Sequence, residues 1–118
     1  MRTKPFKYTI DYGFCEPEEH TLFLSTEEYQ MSGSLAVEVY EIPADGGEPE
    51  YFDTITVALP DSMFIESEDM AFIDTNNCSW AVKMLKKMKL AKDTGDWSRS
   101  GFCTYPLYKF NLDKFTEE

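Results

Sequence analysis

The chain has 118 residues, 42% of them hydrophobic, and a formal charge of −11 from 22 acidic and 11 basic residues. The length suits one domain with a packed core and leaves no room for a second, and the aromatic content (nine Phe, seven Tyr, two Trp) excludes a largely disordered chain. The charge argues against holding nucleic acid or an anionic membrane through phosphate contacts, yet it permits competition with nucleic acid for a basic groove.

The longest unbroken apolar run is Met70–Ile73, far short of the ~20 residues that cross a bilayer, and no hydrophobic signal core follows Met1–Lys7. Three cysteines, an odd number, agree with a reducing compartment and thus with a cytoplasmic setting.

PFKYTIDY, Pro5–Tyr12, alternates apolar with polar residues and is expected to form a strand with one buried face. GFCEPEE suits a connecting turn, HTLFLS (His20–Ser25) a second strand, and EEYQMSGS its closure, with Gly33 in a turn. Ser34–Ile42 sets Leu35, Val37 and Val39 on one face and Ala36, Glu38 and Tyr40 on the other. After the turn-rich PADGGEPE the β-branched run Tyr51–Leu59 follows, which predicts a hairpin.

Met63–Ile65 is ambiguous, whereas Met70–Ile73 reads as a buried strand. Asp74, Thr75, Asn76 and Asn77 offer side-chain oxygens to cap a helix. In that helix Trp80, Ala81, Met84, Leu85, Met88 and Ala91 share one arc, with Lys83, Lys86 and Lys89 opposite, and Asp93-Thr94-Gly95 ends it. GFCTYPLYKFNL is expected to be a strand that Pro106 confines to an edge or a bulge, and DKFTEE a frayed tail. The sum is an α+β domain: one antiparallel, hairpin-rich sheet of about five or six strands with one helix on one face.

Charge is segregated along this order. Residues 1–75 hold three basic residues against 17 acidic ones, a balance of −14, while residues 76–118 hold eight against five, a balance of +3. Glu41, Asp45, Glu48, Glu50 and Asp53 form one acidic group, and Asp61, Glu66, Glu68 and Asp69 another. Such turn-borne carboxylates could imitate phosphates, spaced about 3.4 Å along a strand of nucleic acid. Asp45-Gly46-Gly47 lacks the alternating ligands of a calcium loop.

The triplet GFC occurs twice, at Gly13–Cys15 and Gly101–Cys103. Cys15, His20, Cys78 and Cys103 contain no CxxC or HxxxH, so neither zinc nor any other cofactor is expected, and the echo reads as two strand boundaries with Phe and Cys in the core. Cys78, in the first turn of the predicted helix, could be held as thiolate with His20 as base, which would make a thiol enzyme or redox sensor. Phosphate-loop, dinucleotide, zinc-protease and serine-hydrolase motifs are missing, so a non-enzymatic protein is the leading expectation. Trp97, Arg99, Tyr105 and Tyr108 form an aromatic, partly charged group that suits core packing or a protein contact.

The stretch FIDTNNCSWAVKMLKKMKLAKDTGDWSRSGFCTYPLYKFNL, Phe72–Leu112, resembles the C-terminal half of a small uncharacterised domain-of-unknown-function family encoded on plasmids and conjugative elements of gram-positive bacteria. DTNN before the helix, RSGFCTYPLY after it and the terminal aromatic strand carry the resemblance. It implies no catalytic residue, since the family has no assigned activity. It does imply a setting in which small acidic proteins inhibit host defence nucleases, restriction enzymes and CRISPR effectors among them, by occupying their nucleic-acid channels. A protein partner with a basic nucleic-acid-binding surface is expected on that basis. The other readings are the Cys78 thiol protein and a structural or regulatory module using the Trp97–Tyr108 group.

Overall fold

In the computed structural model, which describes residues 1–30, 33–60, 62, 65 and 67–117, the alternation after Pro5 forms β1 (Phe6–Ile10). It pairs antiparallel with β2 (Glu18–Glu28), β2 with β3 (Leu35–Glu41), and β3 with β4 (Glu50–Thr54). Directly paired residues share a face. Tyr8, Ile10, Leu22, Leu24, Val37 and Val39 therefore project together, and all six are buried. This is the inner face of a sheet ordered β1-β2-β3-β4.

The predicted hairpin partner of β3 does not continue to Leu59. At Ile55, fully buried, the chain leaves the first sheet: its N–H still donates to the Val37 carbonyl at 3.1 Å. The next residues, β5 (Thr56–Val57), pair instead with β6 (Met70–Ile73) in a second sheet ordered β5-β6-β8-β7. The architecture is α+β, with eight strands among the described residues, divided between two four-stranded antiparallel sheets. One core joins the inner face of the first sheet to Ala71, Ile73, Tyr108 and Phe110 of the second and to the helix. A smaller cluster of Leu59, Phe72, Tyr105 and Leu107 fills the second sheet's other face, with Ile65 packed against it. Met63 and Phe64 of the ambiguous segment lie outside the described residues.

The helix α1 spans only Ala81–Lys87, too short to persist alone. It is held by Ala81, Met84 and Leu85, which are fully buried. Its N-cap is Trp80, with no side-chain cap bond, so the DTNN oxygens do not cap it. Asp74 instead closes its own turn, accepting from the Asn77 N–H at 3.2 Å. Nor does the helix run to Gly95: Lys89 takes a left-handed backbone (φ 56°) and stops it. Residues predicted as helix end and cap become β7 (Ala91–Ser100), where Gly95 (φ 88°) sits in a bulge against β8 (Cys103–Phe110).

Both GFC triplets are hairpin turns, with Gly13 and Gly101 at positive φ. Their phenylalanines are not core residues, because Phe14 and Phe102 project from the turn tips and are exposed. The tail is not frayed either: Phe115 is fully buried, and Glu117 exchanges two backbone hydrogen bonds with Arg2. Among the described residues no helix is long and apolar enough to cross a membrane.

Candidate interaction surfaces

The outer face of the first sheet holds Phe23 and Ala36, both buried, beside the half-buried Tyr40 and the exposed Tyr51. It carries a row that runs across the strands: Arg2, Phe23, Tyr40 and Tyr51. The Arg2 guanidinium lies 4.9 Å from the Phe23 ring centroid. Phe23 stacks on Tyr40 (5.4 Å, 12°), and Tyr40 meets Tyr51 edge-on at 6.0 Å. The row exists because Phe23 pairs with Tyr40 and Tyr40 with Tyr51 in the ladder. Glu19, Glu27 and Glu38 share that face by the same register, and so does Lys7. Tyr40 donates to Glu38 Oε1 at 3.2 Å, and burial together with that carboxylate raises the phenol's pKa.

Of the predicted acidic residues, Asp45, Glu48 and Glu50 are exposed on or beside the β3–β4 loop, where Asp45 Oδ1 accepts from the Gly47 N–H at 2.9 Å. Glu41 and Asp53 are placed differently. Glu41 binds His20 Nδ1, while a Glu18 oxygen lies 3.5 Å from His20 Nε2. The imidazole packs edge-on to Phe52 at 5.1 Å, and Phe52 to Trp80 at 5.7 Å. Asp53 Oδ1 accepts from the Thr54 N–H and its carboxylate lies near Cys78. Both are therefore committed to an interior corner of the fold.

Asp61 and Glu66 lie outside the described residues. Glu68 is exposed, and Asp69 accepts from Ser67 and lies 3.8 Å from Lys109. The acidic residues thus do not gather on one face. A groove of about 620 Å³ does bring Glu27, Glu28 and Glu68 together over Leu35, Ile65 and Leu112. A second groove, of about 1100 Å³, is lined by Lys86, Lys89, Lys92, Lys109 and Lys114 together with Asp69, Asp93 and Asp113.

Cys78 is not in the first helical turn but three residues before Ala81, and it is fully buried. Its thiol donates to the Thr54 carbonyl at 3.4 Å, and desolvation, reinforced by Asp53, pushes its pKa up to about 12. The expected thiolate is therefore a protonated core thiol at neutral pH. His20 is engaged by Glu41. Among the described residues no three His, Cys, Asp or Glu side chains converge where a metal ion could sit.

The predicted aromatic group is divided. Trp97 is 64% exposed and Arg99 is exposed, whereas Tyr108 is buried in the main core and Tyr105 in the smaller cluster on the opposite face of β8. Sequence reasoning missed the Phe23–Tyr40–Tyr51 row. The available signal was Tyr40 on the same parity as Glu38, an aromatic on a polar face.

Fold and surface together define a small two-sheet α+β domain whose first sheet bears an aromatic row on its outer face. The chain belongs to the family described as a domain of unknown function (DUF4313), whose model matches residues 23–118. The match includes all of the second sheet and the helix, and it begins within β2. No curated protein and no solved structure matches the chain.

Proposed function

We propose that this protein is a non-enzymatic interaction module whose exposed acidic residues beside the outer face of the first sheet engage a basic surface on a protein partner. The observation that carries this reading is the outer face of the first sheet, where the Phe23–Tyr40 stack leads to the exposed Tyr51. Its aromatic row is of the type that anchors protein contacts, and it is bordered by Glu19, Glu27 and Glu38 and by the exposed Asp45, Glu48 and Glu50. The groove lined by Glu27, Glu28 and Glu68 together with Leu35, Ile65 and Leu112 suits a Lys or Arg side chain, whose stem is apolar and whose head is charged. In its sharpest form the partner is a nucleic-acid-binding nuclease of host defence, of the restriction or CRISPR type, met in the cytoplasm by a protein of a mobile element. The acidic loop then stands where phosphates would.

Inhibition of purified nucleases tests this directly. A panel of restriction endonucleases and CRISPR effectors is assayed on labelled DNA at about 0.05 M and about 0.5 M salt. The reading expects at least one enzyme to be inhibited, more strongly at low salt, and the combined variant Asp45→Lys, Glu48→Lys, Glu50→Lys to lose that inhibition. Undiminished inhibition by the variant removes phosphate imitation, and no inhibition across the panel removes the nuclease as partner.

A further inference from the structure

An open sheet edge invites another strand, and folded proteins usually blunt it with charge, proline, bulges or brevity. Three of the four edges here are blunted. Pro5 and Lys7 stand along β1, whose Arg2 extension is already paired to Glu117. β4 carries Glu50 and Asp53 and faces a bulge in its ladder, and β5 has two residues. β7 is ten residues long, and its first half is blunted by Lys92, Asp93, Asp96 and a bulge; the exception is its second half, regular from Trp97 to Ser100 and, among the described residues, paired only to β8.

The hydrogen-bonding sense of that segment follows from its turn. Ser100 pairs with Cys103 across the two-residue loop Gly101–Phe102, and the pair flanking such a loop is hydrogen-bonded. Alternation then directs the backbone groups of Ser98 and Ser100 toward β8, and those of Trp97 and Arg99 away from it. Pro106, which has no N–H to give, stands opposite Trp97, as this phase requires. The open edge therefore presents the N–H and C=O of Trp97 and Arg99, with an indole 64% exposed and a guanidinium on the same face.

We propose that this edge is completed by a second copy of the chain, β7 pairing antiparallel with β7 about a twofold axis at Ser98. In that register Trp97 of each copy lies opposite Arg99 of the other. Both are outward-facing residues, so each of the two pairs exchanges two backbone hydrogen bonds, four in all. Each also sets the guanidinium against the indole, a cation–π pair made twice by symmetry. The surface is self-complementary because cation and ring are two residues apart on one face. Two chains of charge −11 repel, so screening salt strengthens this association, opposite to the salt response of the exposed acidic residues.

Sedimentation equilibrium up to about 1 mM chain in about 0.5 M salt reads the outcome. The mass is expected to rise from 13.7 kDa toward twice that value. Trp97→Ala and Arg99→Glu should each weaken dimerisation about tenfold or more, and the exchange Trp97→Arg with Arg99→Trp should restore it, because the same cross-pair re-forms. Both side chains are exposed, so the variants are expected to keep the wild-type circular dichroism. A mass that stays at 13.7 kDa, single variants that dimerise like the wild type, or an exchange variant no better than the single ones would overturn the proposal.

Discussion

His20 on β2 and Glu41 at the end of β3 are hydrogen-bonded through imidazole Nδ1 and carboxylate, so a glutamate that reads as surface charge faces inward. The His20 side chain is 12% exposed and that of Glu41 31%, so the bond is partly shielded from water. Glu41→Lys removes the acceptor and sets an ammonium beside the ring, and should lower stability by about 1–2 kcal/mol. Glu48→Lys, on the exposed loop, and Glu50→Lys, at the exposed start of β4, should change it by less than about 0.5 kcal/mol. Urea unfolding distinguishes them, and equal small effects at all three positions would mean that the pair stabilises nothing. Only the Glu48 and Glu50 variants report binding without a folding penalty.

The Cys78 thiol is a second inward-facing group with a measurable consequence. Its folded pKa of about 12 stands above the ordinary 9.0 of the unfolded chain. Between those values the unfolded chain releases a proton that the folded chain keeps. The contribution to stability is complete below about pH 9 and is lost as pH rises through about 12, with a slope of at most about 1.4 kcal/mol per pH unit. Cys78→Ala lacks this component, so the stability difference between wild type and variant should narrow over that window. A difference constant from pH 8 to 12 would show that the thiol is not held protonated.

The stop of α1 carries a left-handed lysine where glycine is the common choice. Leu90 N–H donates to Leu85 O at 3.0 Å and Lys89 N–H to Lys86 O at 3.2 Å, the paired bonds of a Schellman cap with Lys89 at the strained position. Lys89→Gly relieves the clash of Cβ with the backbone but frees the unfolded chain, for a net gain of about 0.5–1 kcal/mol. Thermal unfolding reads it, and a loss of stability would mean that the Lys89 side chain contributes more than its strain costs.

These cases show where sequence pattern carried information. The alternation of β1 and β3 predicts the inward placement of Tyr8, Ile10, Val37 and Val39, because a half-buried strand repeats every two residues. The helix was over-extended because Met88 and Ala91 continue the helical arc past Lys87, and a lysine at the stop gave no glycine signal. Gly95 offered that signal instead, but positive φ serves a β-bulge as well as a helix cap. β7 went unread because an edge strand with only Ala91 and Ser98 buried has no apolar stripe. Glu41 and Asp53 meet His20 and Cys78 in the fold, whereas Glu48 lies in the loop and Glu50 at the exposed start of β4, a difference of placement that composition does not encode. The Phe23–Tyr40–Tyr51 row likewise appears only once three strands are aligned.

The C-terminal tail supplies the most demanding prediction, since its composition suggests fraying and its placement does not. Phe115 is fully buried, edge-on to Phe110 at 6.3 Å, so Phe115→Ala should cost about 3–4 kcal/mol. Two residues on, the Arg2 N–H donates to Glu117 O at 2.8 Å and the Glu117 N–H to Arg2 O at 2.9 Å. Thr3 N–H is bonded instead to Leu24 O within the first sheet. Glu117→Pro removes one of the two tail bonds and leaves the phenylalanine in place. Hydrogen exchange should then accelerate at Arg2 while Thr3 keeps its protection, and Phe115→Ala should accelerate both through the loss of global stability. Because Arg2 also lies over Phe23, loosening the tail alone should free the guanidinium end of the aromatic row without unfolding the sheet. Unchanged exchange at Arg2 in Glu117→Pro would mean that the tail does not hold the N-terminus.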